Sequence, residues 1–304
     1  MNKKRIFCTS CKSKNTIKKG KARNVQTYLC LDCNKRFSGS RRNKIIFTKN
    51  LWSSYVFNKQ TVRELSDTHS MDRRVIREQL NSYIAPAKIH NPRPVHIVTD
   101  GTYFGERKEG LSWSVIVVCD PKKREDLVWL FTDTETTYAY SLLRDELETL
   151  GYTILSVTGD GFGGIKTAFS GVLYQMCHVH MERAIIRGTT LNPQTEAGTV
   201  LLALARTLFQ GTNSKVFNKR LDDYIEKYRE FLNEKTFHPD TFKNKKGWSW
   251  THEDLRRAIQ SLIRHKPYLF TFEQNKNIPK NTNSLEGHFK HIKKLLSIHH
   301  GVSK

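Results

Sequence analysis

The sequence predicts an α/β fold: a mixed-sheet core interrupted by a helical insertion and preceded by two small basic modules. Three observations predict it. Two apolar runs rich in β-branched residues each lead into an aspartate, Val95 to Thr99 before Asp100 and Thr153 to Thr158 before Gly159 and Asp160. Cysteines 8, 11, 30 and 33 stand as two Cys-x2-Cys pairs. Between residues 190 and 270 helical spacing of apolar residues replaces strand-like runs.

Composition bounds the class before any element is placed. At 304 residues the chain has room for more than one domain, and 38% hydrophobic with 26% charged residues describes a soluble protein. No run approaches the ~18 apolar residues that a membrane span needs. The basic start, Lys3, Lys4 and Arg5, leads into Cys8 rather than an apolar stretch, so an intracellular location without a signal peptide is expected. The net charge of +22 is unevenly placed: residues 1 to 50 carry 15 Lys or Arg against the single acid Asp32. Such an end is an electrostatic footprint for nucleic acid.

The first module, residues 1–45, reads as a zinc ribbon. Each Cys-x2-Cys pair supplies two thiolates from a tight knuckle, and two knuckles complete a closed tetrahedral shell, so a structural Zn2+ on Cys8, Cys11, Cys30 and Cys33 is expected. So small a module lacks a core, and ion binding would largely be its folding energy. Lys18, Lys19, Lys21 and Arg23 lie between the pairs, with Arg41 and Arg42 after them, as candidate DNA-backbone contacts. Residues 46–90 read as a helix-turn-helix. One helix starts near Thr61 and buries Val62 and Leu65; a second, after a break near His69-Ser70, buries Val75, Ile76 and Leu80 and turns Arg73, Arg74 and Arg77 outward.

From residue 91 to 187 the pattern is that of strands. Val95–Thr99, Ser112–Val118 and Leu127–Phe131 predict an antiparallel meander, followed by a helix over Tyr138–Leu150, a strand over 153–158 and a short helix near Phe162–Phe169. A strand over Val172–Met176 and a helix starting near His180 complete the segment. The order βββαβαβα is that of a ribonuclease-H-like core, in which the fourth strand lies beside the first and brings Asp100 and Asp160 together. Residues 188–275 read as a helical insertion with helices over Val200–Phe209, Phe217–Leu232 and Leu255–Tyr268 and no convincing strand. Residues 276–304 hold a final core helix that starts near Asn283 and buries Leu285, Phe289, Ile292 and Leu296, with Glu286 in its first turn.

Carboxylates at strand ends are held rigidly enough to share divalent cations. Asp100, Asp160 and Glu286 are therefore the candidate ligands of two Mg2+ or Mn2+ ions, a pairing suited to clamping the attacking and leaving oxygens of a phosphodiester. Singly, each acid is ordinary: Asp-Gly also ends strands, and a first-turn glutamate is favoured by the helix dipole. The run Gln175 to Arg183 adds a Cys177-x2-His180 pair, incomplete as a zinc site and equally readable as a buried thiol beside a histidine on the site wall.

These residues resemble the Mutator-type DDE transposases of bacterial insertion sequences, in a zinc-ribbon variant. The likeness rests on Asp100-Gly101-Thr102, Gly159-Asp160-Gly161, Gln175-x-Cys177-x-x-His180-x-x-Arg183 and Thr282-Asn283-Ser284-Leu285-Glu286-Gly287, and runs from about residue 95 to 300. It implies Asp100, Asp160 and Glu286 as the catalytic triad, with Cys177, His180 and Arg183 as accessory active-site residues. It further implies binding of double-stranded DNA at the element's terminal repeats, two-metal-ion cleavage, strand transfer into target DNA, assembly as a homodimer or larger on DNA, and a place in the bacterial cytoplasm at the nucleoid. A structure-selective nuclease on the same fold and a DNA-binding regulator with idle carboxylates are the competing expectations.

Overall fold

The computed structural model describes residues 6–22, 25–38, 44–105, 112–238 and 247–298, with the side chains of residues 44–47 outside the description. The chain divides into two compact units, one holding the described residues up to Ala87 together with Lys294–Ile298 and the other Lys88–Lys293. Arg23, Arg41 and Arg42 lie outside the described residues.

In the first unit, β1 (Thr16–Ala22), β2 (Val25–Cys30) and β3 (Arg36–Ser38) form an antiparallel sheet in the order β1-β2-β3. Tyr28 stacks on Phe37 across β2 and β3 at 5.8 Å, on a sheet whose β1 is almost wholly exposed and whose β2 is mostly half-buried. Three helices follow: α1 (Lys44–Val56), α2 (Val62–His69) and α3 (Arg73–Asn81). The expected pair is thus a trio, because Leu51 of α1 joins Leu65, Ile76 and Leu80 in one buried cluster. Val62 and Val75 are half-buried rather than buried. A capping box starts α2: the Thr61 backbone N–H donates to Glu64 Oε2 at 2.6 Å, and the Glu64 N–H donates to Thr61 Oγ1 at 3.2 Å. Ser70 adopts the left-handed conformation (φ 50°) and Asp72 caps α3 through the Arg74 N–H at 2.7 Å, so the connection is tight.

The second unit is built on a five-stranded mixed sheet. Its strands are β4 (Pro94–Phe104), β5 (Trp113–Asp120), β6 (Glu125–Thr132), β7 (Thr153–Gly159) and β8 (Leu173–Met176), in the order β6-β5-β4-β7-β8. The β4–β5 and β5–β6 pairs are antiparallel; β4–β7 and β7–β8 are parallel. The meander and the placing of the fourth strand beside the first follow the sequence expectation. One boundary differs: β4 does not end before Asp100 but runs on to Phe104, because its pairing with β5 continues through Asp100↔Val117 to Phe104↔Trp113.

Alternation along β4 sorts the two faces. Val95 and Ile97 enter the large core with Tyr140, Leu143 and Leu147 of α4 (Thr137–Thr149), and with Ile165 of α5 (Gly163–Ala168). Val98 points the other way, into a second core with Val115, Val117 and Cys119, closed by Leu285 and Phe289 of α11 (Asn283–Ile298).

Between the sheet and α11 the chain is mostly helical, as expected: α6 (His178–Thr189), α7 (Glu196–Arg206), α8 (Ser214–Lys227), α9 (Arg229–Leu232) and α10 (Glu253–His265). Two corrections apply. The 217–232 helix breaks at Tyr228, and the stretch expected to contain no strand holds β9 (Lys235–Phe237) paired antiparallel with β10 (Trp248–Trp250). Three-residue strands are too short to register as periodicity. The insertion shares the main core, with Leu201, Phe217, Leu221, Ile259 and Leu262 packed in one cluster with Met181 and Ile185 of α6. Gly188 allows the close approach of α6 to α10, since a Cβ there would lie 2.4 Å from the Asp254 carbonyl oxygen.

Candidate active site

The last parallel partners of β4 and β7 are Val98 and Thr158. Two residues further on stand Asp100 and Asp160, so the sheet register brings the two acids level where β7 stops and β4 continues. By alternation Asp100 shares the face of Val98, the face that α11 covers. Asp100 is buried, while Asp160 and Glu286 are half-buried. Burial, the charge of Asp160 and then those of Glu135 and Glu286 push the Asp100 carboxyl up to about 7, although the Gly101 N–H donated to its Oδ1 at 2.9 Å opposes the rise. Crowded carboxylates of this kind suit a hard divalent cation, which would reverse the penalty.

Glu286 comes from the first turn of α11, whose register is set by burial of Leu285 and Phe289. One ligand atom from each of Asp100, His180 and Glu286 lies within 4.8 Å of the others. Asp160 stands outside that trio, its Oδ1 accepting from the Phe162 N–H at 2.9 Å, yet its charge acts on Asp100, His180 and Glu135. Arg183 grips Glu286 in a fork, Nη1 to Oε1 at 2.6 Å and Nη2 to Oε2 at 2.8 Å. His180 Nε2 is 3.9 Å from Glu286 Oε1, and burial holds this imidazole below its ordinary pKa against the pull of Asp160 and Glu286. His180 and Arg183 are one helical turn apart on α6, which places both on the face turned to Glu286.

Cys177 does another job. It precedes α6 with no exposed surface, its Sγ 3.5 Å from Thr282 Oγ1, which is in turn 3.5 Å from His180 Nδ1. The Cys177 N–H donates to the Gly159 carbonyl at 2.8 Å and the His178 N–H to the Lys280 carbonyl at 2.9 Å, while Thr158 Oγ1 donates to the Pro279 carbonyl at 2.7 Å. Gln175, fully buried, donates to the Leu269 carbonyl at 2.9 Å and accepts from the Phe272 N–H at 3.0 Å. The Gln175 to Arg183 run therefore fastens the returning chain to the sheet, just ahead of Glu286.

Glu135, which the sequence did not single out, also faces this region. It lies between β6 and α4, its Oε2 accepting from Tyr140 Oη at 2.9 Å and its backbone N–H donating to Tyr103 Oη at 3.3 Å. The polar run Asp133-Thr134-Glu135-Thr136 resembles any helix entry, and nothing in its spacing marks the glutamate.

In the first unit, the four thiols of Cys8, Cys11, Cys30 and Cys33 lie within 4.8 Å of one another, with Sγ pairs at 3.6 Å (Cys8–Cys33) and 3.5 Å (Cys11–Cys30). A tetrahedron with Zn–S of ~2.3 Å needs S···S of ~3.8 Å, so the donor set and spacing could hold zinc. Backbone donation from Cys11 pulls the Cys8 thiol down to about 6, whereas, against donation from the Ser13 backbone, the neighbouring sulfurs push Cys11 up to about 12 and Cys33 is raised as well, so the four thiols share their protons unevenly. The residue after each knuckle, Lys12 (φ 61°) and Asn34 (φ 55°), takes the left-handed conformation, so both knuckles turn alike. Lys18, Lys19 and Lys21 are exposed on β1, and Arg73, Arg74 and Arg77 are exposed on α3.

Residues 93–294 match the model of the IS66 family of transposases. The chain belongs to that family. The matched segment begins at the start of β4 and contains Asp100, Glu135, Asp160, Cys177, His180, Arg183 and Glu286; the cysteine site and α1 to α3 lie ahead of it. The match is to IS66 and not to the Mutator type that the motifs resemble, and what the two have in common is an insertion-sequence transposase. No curated protein matches the chain. Transposases bind DNA and break and rejoin it, and the IS66-family segment here coincides with the unit that carries the carboxylates. Among the described residues no helix is long and apolar enough to cross a membrane.

Proposed function

We propose that this IS66-family chain is a DDE transposase on a ribonuclease-H-like core, with Asp100, Asp160 and Glu286 as its catalytic carboxylates. The observation that carries the reading is the register at the β4–β7 border, which sets Asp100 level with Asp160 while α11 brings Glu286 within 4.8 Å of Asp100. The strand order β6-β5-β4-β7-β8, antiparallel through β4 and parallel beyond it, supports the fold assignment. Two Mg2+ or Mn2+ ions at these carboxylates would supply charge stabilisation for both the attacking and the leaving oxygen. Asp100 holds its carboxylate within the paired stretch of β4, Asp160 holds its own just past the end of β7, and Glu286 adds a third from a helix anchored in the second core. Arg183 orients Glu286 and balances its charge, His180 stands beside it, and Cys177 with Thr282 fixes the segment that leads to it. The Cys177, His180 and Arg183 element is the part that favours a kinship in site design with Mutator-type enzymes.

The N-terminal unit serves as the reader of the element's terminal repeats. Cys8, Cys11, Cys30 and Cys33 hold a structural Zn2+, and α2 and α3 act as a helix-turn-helix with Arg73, Arg74 and Arg77 toward DNA. Lys18, Lys19 and Lys21 contact phosphates, and two ends are brought together by at least a dimer. The test is incubation with labelled DNA carrying the element's ends in Mg2+ or Mn2+, comparing the wild type with Asp160→Asn. Cleaved and joined products lost in the variant support the reading. Cleavage without joining points to a nuclease, and cleavage unchanged in Asp160→Asn overturns the assignment of the site.

A further inference from the structure

Beside the three carboxylates of the proposed site, Glu135 is held in a way that an ordinary surface glutamate is not. Its Oε1 occupies the space over Gly101 where any other residue would carry a side chain: a Cβ on Gly101 would lie 2.2 Å from Oε1 and 2.6 Å from Cδ. Gly101 has an extended backbone, so the glycine is required for room rather than for conformation. The gap falls immediately after Asp100, on the stretch of β4 that β7 no longer flanks, since the β4–β7 pairing ends at Val98. By alternation Gly101 lies on the α4 face of β4, opposite to Asp100, and what links the Glu135 carboxylate to the acids is the mutual action of their charges across the border where β7 has stopped.

The other oxygen is anchored. Tyr140, with no exposed surface, donates its hydroxyl to Oε2 at 2.9 Å, and Tyr103 Oη fixes the Glu135 backbone N–H. Oε1 has no donor among the described residues, so its lone pairs remain for a ligand from the site. The charge of Glu135 is felt by Asp100 and that of Asp160 by Glu135, which places the three groups in one field. Holding three or more carboxylates this close without a cation costs free energy, and the glycine, the tyrosine anchor and the border position all act to hold Glu135 there.

Resting on the two-cation reading above, we propose that Glu135 is a positioning residue of the cation centre. Its Oε1 accepts a hydrogen bond from water carried by a divalent cation bound at Asp100 and Asp160, while Tyr140 holds Oε2. Glu135, like Asp160, lies outside the group whose ligand atoms fall within 4.8 Å, and its seat over Gly101, on the other face of β4 from Asp100, suits contact through water rather than direct ligation.

The experiment measures Mn2+ binding to the full chain, by calorimetry and by the paramagnetic resonance of free Mn2+, in the wild type, Glu135→Gln, Tyr140→Phe and Asp160→Asn. Thermal unfolding without added Mn2+ is recorded for each. Glu135→Gln keeps the volume and an acceptor for Tyr140 but turns an amide N–H toward the border. It should weaken Mn2+ binding about tenfold or more without lowering the melting temperature, and Tyr140→Phe should weaken binding several-fold. A merely structural glutamate would do the reverse, lowering the melting temperature and leaving the affinity alone. Wild-type affinity in Glu135→Gln, with binding lost in Asp160→Asn, overturns the role of Glu135 and leaves the site standing. Wild-type affinity in both variants overturns the cation site itself.

Discussion

At the scale of single residues, the pH behaviour of Asp100 follows from its burial. Its carboxyl is raised from an ordinary 3.8 to about 7 by desolvation and the neighbouring acids. A cation binds the ionised form, so Mn2+ affinity should fall about tenfold per pH unit below about 7, with close to one proton released per binding event. Calorimetry in buffers of different ionisation enthalpy reads both. Without added divalent cation the sign for folding is opposite. The native state binds the proton more tightly than the unfolded chain between about pH 4 and 7, so stability falls across that window, by at most about 4 kcal/mol. Urea unfolding at pH 5 and 8 should show the fall in the wild type and flatten in Asp100→Asn. Gly101 gives a second prediction. Gly101→Ala should cost about 1–3 kcal/mol by overpacking against Glu135, and the double variant with Glu135→Ala should recover part of it in a double-mutant cycle. Asp100, Asp160 and Glu286 were legible in the sequence because each follows or opens an apolar run with its own periodicity, even though β4 itself continues past Asp100. Glu135 was not, because its meaning comes from a glycine on another strand, and contact between segments 34 residues apart leaves no local trace.

At the scale of elements, the sequence showed what periodicity can show and missed what depends on pairing. The meander, α4, β7, β8 and α6 announce themselves by alternation or helical spacing, and their neighbours follow from chain order. The extension of β4 past Asp100 is a consequence of its pairing with β5, and Gly101 within it reads locally as a strand breaker. β9 and β10 exist because Trp248, Ser249 and Trp250 pair with Phe237, Thr236 and Lys235 across residues of mixed polarity. The trio α1 to α3 is bound by a small core, so Ile76→Ala, at a residue with no exposed surface, should cost about 2–4 kcal/mol in that unit. Thr61→Ala, which breaks the capping box, should cost about 1 kcal/mol. On α3 Arg73, Arg74 and Arg77 are exposed, and on the proposed reading they serve binding rather than folding. Replacing all three with Ala should leave the melting temperature within about 1 °C and reduce the slope of log affinity against log salt by up to about 3 for duplex DNA carrying an element end. A slope unchanged by the triple variant would remove α3 from the DNA interface.

At the scale of the whole molecule, charge and the two candidate metal sites divide between the two units. Of the +22 net charge, 14 falls within the first 50 residues, which include the four cysteines, while the carboxylate centre lies entirely within Lys88–Lys293. The described sheet of the cysteine module buries little beyond Cys8 and Cys30, so on the proposed reading a bound ion would supply much of its folding energy. The carboxylate unit has a large apolar core of its own and does not need one to fold. On the proposed reading the two metal sites are therefore separable. Cys30→Ser, at a thiol with no exposed surface, should lower bound zinc by about one equivalent per chain, measured by atomic absorption, and abolish binding to DNA carrying the element's ends. The same variant should retain Mn2+ affinity at Asp100 and Asp160, since those ligands belong to a unit with an independent core. Loss of Mn2+ binding in Cys30→Ser would mean that the carboxylate centre depends on the cysteine module for its folding. Full zinc content would mean that Cys30 is no ligand. Retained zinc-free DNA binding would move end recognition away from the cysteine module to α1 through α3, where the exposed arginines of α3 would have to supply it alone.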